Sequence, residues 1–199
     1  VDKSLLRQEE GVEGEPRFLM LETVREYGLE RLMASGESQA MQSQHAAYFL
    51  ALAEAVRPKL VGPDQTIWLD RLQQEHDNLR VALRYFATHP DSELGLRLAG
   101  ALWWFWYVRG HLSEGRHWLE DALARSKRVS PAQANALRVT GVIALFQGHY
   151  APAERLLRES LAAYEELKDR AGIAATLNNL GLLAHQQGEY DVAQRFLSE

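Results

Sequence analysis

No cysteine occurs among the 199 residues, which excludes disulfides, thiolate chemistry and sulfur-bound metals. A basic surplus is missing too. Lys and Arg number 22 against 27 Asp and Glu, a net charge of −5, so the clustered cations of a non-specific nucleic-acid or acidic-membrane binder are absent. No apolar run reaches the roughly 20 residues that span a bilayer. The longest, Leu94 to Val108, is broken by Arg97 and flanked by Arg109. Nor does Val1-Asp2-Lys3-Ser4, followed by only two leucines, read as a secretory leader. A Gly-x-x-x-x-Gly-Lys-Ser/Thr phosphate loop is absent, since Gly11 and Gly14 lie in an acidic turn with no following lysine. His111 and His117 differ by six positions, the wrong step for a helical zinc pair. No serine sits between the glycines of a nucleophile elbow. These absences predict a cytoplasmic, non-catalytic chain with no cofactor and no metal.

What the chain does have is a repeat. Gly141-Val-Ile-Ala-Leu-Phe-Gln-Gly148-His-Tyr150-Ala-Pro-Ala153 returns as Gly181-Leu-Leu-Ala-His-Gln-Gln-Gly188-Glu-Tyr190-Asp-Val-Ala193, an offset of 40 (181−141). Self-similarity at such a period marks stacked helical hairpins, each too small to bury its apolar face alone. Gly141 and Gly181 would let two helices approach, Gly148 and Gly188 would make the turn, and Tyr150 and Tyr190 would plug the junction. A weaker copy lies upstream, with Gly110, Leu112, Gly115 and Leu119 preceding their counterparts by 38 (148−110).

The remaining chain is punctuated in an orderly way. Short apolar-rich runs around Glu9 to Glu15 predict a β-hairpin. Thr23 and Glu26 form a T-x-x-E capping box, and Gly36 sits where a helix-ending glycine belongs. Met41, His45, Tyr48, Phe49, Leu52 and Val56 fall on one helical face; Trp68, Leu72, His76, Leu79, Leu83 and Phe86 fall on the next. Leu94 to Tyr107 reads as one helix, apolar on nearly all sides, and His111 to Ser126 as its return. Ser130, Pro131 and Gln133 predict a second capped start. Glu75-His76-Asp77 invites an acid–base reading. Successive side chains on a helix diverge by about 100°, however, so a buried structural histidine is expected.

The repeated residues resemble the tetratricopeptide repeat, in a lengthened form like that of kinesin light chains, with Ala175-Thr-Leu-Asn-Asn-Leu-Gly181 as its signature. Both copies lack the closing proline and exceed the usual ~34 residues. The fold expected is mainly α: stacked antiparallel helical hairpins in a right-handed superhelix, with a short N-terminal β-hairpin. In that arrangement the first helix of each pair lines a concave wall. Aligning the copies places Arg97, Trp104 and Tyr107, then Arg138, Val142 and Leu145, then Asn178, Leu182 and His185 on it. Such a wall suits a protein or peptide ligand. An aromatic pocket for a small molecule, near Trp103 to Tyr107, is the alternative, and a stand-alone adaptor is a third reading.

A second resemblance covers nearly the whole chain. Arg17-Phe-Leu-Met-Leu-Glu-Thr-Val-Arg-Glu-Tyr-Gly-Leu-Glu-Arg-Leu32, His45-Ala-Ala-Tyr-Phe-Leu50, Trp68 to Arg80 and Trp106-Tyr-Val-Arg-Gly-His-Leu112 follow in order. The succession resembles the region after the ATPase module in bacterial STAND-type signal-transduction ATPases, including LuxR-like and AfsR-like transcriptional regulators. That resemblance implies a winged-helix remnant over residues 1–22, a helical linker over 23–89 and repeats over 90–199. It also implies a nucleotide-binding domain before Val1, which this region contacts within the same protein. Direct DNA contact is not expected, because residues 1–22 carry six acids against three bases. The chain starts on Val and stops at Glu199 inside a repeat, so we read it as part of a larger protein. The last repeat's Val192, Phe196 and Leu197 would then lack a partner helix and invite pairing with a second copy.

Overall fold

The computed structural model describes residues 5–10, 16–88 and 92–198. The expected winged-helix tail (1–4), the centre of the acidic turn (11–15) and the His89-Pro90 break lie outside the described residues. Among the described residues the chain is mainly helical, with eleven α-helices and one β-hairpin. It falls into two compact units, 1–85 and 86–199.

The first unit begins with β1 (Leu6–Glu10) and β2 (Pro16–Met20), antiparallel in the register Leu6↔Met20 and Gln8↔Phe18. Helix α1 (Glu22–Ser35) follows at once. The Thr23 capping box does not form. The helix already starts at Glu22 with Leu21 in the cap position and no side-chain cap, so Thr23 lies too far inside to serve. Arg25 takes the Glu22 carboxylate instead, through Nε at 3.0 Å, and this hydrogen bond holds the Glu22 carboxyl below its ordinary range. Gly36 ends the helix as expected, with φ of 77° and its N–H donating to the Met33 carbonyl.

The buried face of α2 (Ser38–Val56) differs from the sequence expectation. Ala46, Phe49, Leu50, Ala53 and Val56 are buried, while Met41 and Tyr48 are exposed. Ala46 and Ala53 supply the small positions of this seam, and Phe49, Leu50 and Val56 fill the rest of it. A 3₁₀ turn at Arg57–Leu60 leads to α3 (Gln65–Gln74) and α4 (His76–Thr88). The single helix expected over Trp68 to Phe86 is therefore two, interrupted at Glu75. Asn78 Nδ2 donates to Glu75 at 2.6 Å, Asp77 faces solvent, and His76 is buried with a relative exposure of 7%. The three residues straddle a helix junction and form no acid–base constellation.

The second unit holds α5 (Ser92–Ala101), α6 (Trp103–Arg109), α7 (Leu112–Arg125), α8 (Pro131–Phe146), α9 (Tyr150–Leu167), α10 (Arg170–Gln186) and α11 (Tyr190–Ser198). Here too one expected helix is two, since the Leu94 to Tyr107 run is interrupted at Leu102. Each first helix packs on its own return helix, as α5 on α7, α8 on α9 and α10 on α11. Successive pairs then stack, with α8 against α5 and α7, and α10 against α8 and α9. This is the packing of a helical-hairpin array.

The corners repeat down to individual hydrogen bonds. Gly148 and Gly188 have φ of 76° and 80°, a left-handed conformation that costs glycine nothing. His149 N–H donates to Ala144 O and Glu189 N–H to Ala184 O, both at 2.9 Å, preserving the offset of 40. Gly110 (φ 77°) makes the same corner upstream, where the N–H of His111 donates to Trp106 O at 2.8 Å. At Gly141 a Cβ would lie 2.9 Å from Leu157 Cγ, and at Gly181 it would lie 3.1 Å from Leu197 Cγ. The same close approach of first and second helix thus recurs. The tyrosines do not plug the junction, because each opens its second helix and stays exposed, Tyr150 at 37% and Tyr190 at 64%.

Candidate functional site

The binding face expected from the repeat is the stripe of first-helix residues left uncovered by neighbours. On α10 that stripe is open: Asn178, Leu182 and His185 are all exposed. His185 also meets the Tyr190 ring at 5.4 Å between centroids. On α5, Arg97 is exposed. On α8, Arg138 is half-buried and donates through Nη2 to Asn135 Oδ1 at 3.0 Å.

Two of the nine wall candidates belong to the core. Val142 and Leu145 are each 5% exposed and cluster with Ala153, Leu157, Leu180 and Leu183, with Trp103 packed against the group. Their helix α8 is sandwiched between earlier and later helices, whereas the matching face of α10, at Leu182 and His185, carries no such cover among the described residues. Position in the repeat is the same; the neighbours differ.

Three aromatic residues of α6 form a continuous chain that runs from half-buried Trp103 and Trp104 to exposed Tyr107. Trp103 and Trp104 meet edge-on at 4.8 Å, Trp104 and Tyr107 lie 5.3 Å apart, and Tyr107 continues to Phe146 of α8 at 4.7 Å. Phe146 is 45% exposed and was not among the residues the repeat alignment selected. Its signal in the sequence was a large apolar side chain two residues before the Gly148 corner. The indole N–H of Trp104 is enclosed and meets no acceptor among the described residues. Trp106 is buried, and a Cβ on Gly115 would collide with its ring, so glycine is needed there for α7 to cross α6. Trp68, in the first unit, carries the Lys59 ammonium 4.0 Å above its ring.

Charge divides between the two helices of each hairpin. Helices α5, α6, α8 and α10 carry Arg97, Arg109, Arg138 and Arg170 against one acid, Glu93, whose carboxylate accepts from Ser130 Oγ at 2.7 Å. Helices α7, α9 and α11 carry eight acids and five bases. Four of those five bases are spoken for within their own helix, as Arg116–Glu120, Arg125–Asp121, Arg155–Glu159 and Arg158–Glu154.

Comparison with known proteins agrees with this geometry. The profile of the tetratricopeptide repeat matches residues 173–198, the α10–α11 hairpin. Over 194 residues, 91% of this chain, the sequence is 32% identical to proteins of Mycobacterium bovis and Mycobacterium tuberculosis. Their names mark them as candidate HTH-type transcriptional regulators. The match covers 21% of those relatives' length. Among solved structures, the crystal structure of BtubC (BKLC) from P. vanneervenii superposes with a TM-score of 0.57 at 22% identity, covering 84% of this chain and 70% of that one. No helix among the described residues is long and apolar enough to cross a membrane. The chain has a mainly α, tetratricopeptide-like fold and is similar to about one fifth of the length of these regulators.

Proposed function

We propose that the repeat unit is the ligand-recognition region of a larger ATP-dependent transcriptional or signalling regulator. A protein or peptide segment binds along the first helices of its hairpins. The observation that carries this reading is the exposure of Arg97 on α5, Tyr107 on α6 and Phe146 on α8, first-helix residues that stay open although a further hairpin stacks on theirs. Solenoid repeats of this construction use such stripes as extended binding surfaces, because contacts spread over several repeats sum without a deep pocket. Likeness to the mycobacterial proteins supports placing the region within a regulator. In the whole protein a nucleotide-binding domain would precede residue 1, and residues 1–22 would be the remnant of a winged-helix spacer rather than a DNA reader.

The mechanism is a shift in population. A ligand that contacts the wall differently in two arrangements of the regulator favours one of them, and its leverage equals that difference in affinity. The test replaces Trp104, Arg138 and Asn178 together by alanine in a regulator containing this chain. Ligand-dependent activation is then lost while the isolated chain keeps its helical circular-dichroism spectrum. A folded triple variant that activates normally would sink the assignment.

A further inference from the structure

We propose that Arg116 and His149 form a pH-sensitive latch between the first two hairpins of the repeat unit, closed while the imidazole is neutral and released when it is protonated. The latch involves none of the wall residues, so it stands apart from the reading of that wall.

Arg116 sits on α7, the second helix of the first hairpin, with 23% of its side chain exposed. Its guanidinium meets three acceptors. Nε donates to Glu120 Oε1 at 2.7 Å, within the same helix. Nη1 reaches the next hairpin, donating to Gln147 Oε1 at 3.0 Å and meeting His149 Nδ1 at 2.7 Å. Gln147 and His149 flank Gly148 at the corner between α8 and α9. Arg116 therefore ties one hairpin to the corner of the next, whereas Arg125, Arg155 and Arg158 bond acids of their own helices.

The donor fixes the state of the ring. A guanidinium carries only N–H donors, accepts nothing and stays charged. Opposite it, Nδ1 must present its lone pair, which puts the one ring proton on Nε2 and leaves the imidazole neutral. A second proton would occupy Nδ1 itself. N–H would then face N–H and cation would face cation, so acceptor and attraction are lost together. Histidine side chains change charge between about pH 5 and 8.

The surroundings do not offset this change. Among the described residues Arg116 is the charged group in contact with His149, and no carboxylate touches the ring. Glu120 bonds the same guanidinium through Nε. The last turn of α8 is uncharged, and α9 opens with Tyr150-Ala-Pro-Ala153 before Glu154, which Arg158 engages. The next junction lacks the device, since the repeat offsets place Glu154 where Arg116 stands and Glu189 where His149 stands.

A double-mutant cycle of His149→Ala and Arg116→Met on the 199-residue chain tests the latch. Methionine keeps the aliphatic stem of Arg116 and removes its charge. Melting temperatures are compared at about pH 8 and about pH 5.5, either side of the histidine range. The cycle should show a stabilising coupling of about 1–3 °C at the higher pH, the size expected of an exposed charged pair. At the lower pH the coupling should vanish or change sign. Amide exchange, corrected for its intrinsic pH dependence, gives a local reading. The N–H groups of Gly148 and His149 donate to Leu145 O and Ala144 O, both at 2.9 Å. They should lose protection on acidification in the unaltered chain and show no such change in His149→Ala. No coupling at the higher pH, the same coupling at both, or an acid loss of protection that persists in His149→Ala would overturn the latch.

Discussion

Gly141 and Gly181 occupy equivalent places in two copies of one repeat, yet the same substitution at each should change stability in opposite directions. Replacing a glycine by alanine within a helix gains about 1 kcal/mol of propensity. Against this stands the space for the new methyl. At Gly141 a Cβ would lie 2.9 Å from Leu157 Cγ and 3.2 Å from the Ala153 carbonyl oxygen. Leu157 is fully buried, and Ala153 O belongs to the backbone of α9, so neither yields without shifting the helix. Overpacking of this kind costs about 1–3 kcal/mol. The clash should win, leaving Gly141→Ala less stable by up to about 2 kcal/mol, or a melting temperature lower by as much as about 8 °C. At Gly181 the nearest atom is Leu197 Cγ at 3.1 Å, and Leu197 is 63% exposed on the short helix α11. That side chain can turn aside, so Gly181→Ala should keep most of the propensity gain, about 0.5–1 kcal/mol. Thermal melts followed at 222 nm, with amide exchange on α8 and α10, measure both. A stabilised Gly141→Ala, or a Gly181→Ala as damaged as its twin, would refute the packing logic.

Further effects should follow from the same contrast of neighbours. Leu145→Ala should cost about 2–4 kcal/mol because it empties a packed site, whereas Leu182→Ala should cost less than about 1 kcal/mol since that residue is 38% exposed; urea melts of the two variants would decide. Ser130→Ala removes the hydroxyl that accepts from Gln133 N–H at 3.1 Å and donates to Glu93. A loss of about 1–2 kcal/mol is expected, with amide exchange rising first at the start of α8.

Much of the second unit was legible before any coordinate. An offset of 40 in the sequence became identical corner hydrogen bonds, because a left-handed glycine turn is a local matter and needs no distant partner. Gly36, Ser130 and Gly110 were readable for the same reason. What local signals missed were the interruptions and the covers. Nothing in a hydrophobic stripe marks Glu75 or Leu102 as the point where one helix becomes two, since both halves keep the same apolar period. Thr23 had the spacing of a cap, but helix α1 begins at Glu22 and its cap position falls on Leu21, two residues earlier.

The sequence by itself determined the repeating unit, its corners, the small residues at its crossings and the sign of charge along each helix. Tertiary structure alone decided exposure. Val142 and Leu182 share a repeat position and an apolar character, but α8 lies between other helices and α10 keeps that face open. Exposure is a property of what packs alongside a residue, and no residue encodes its neighbours' final positions.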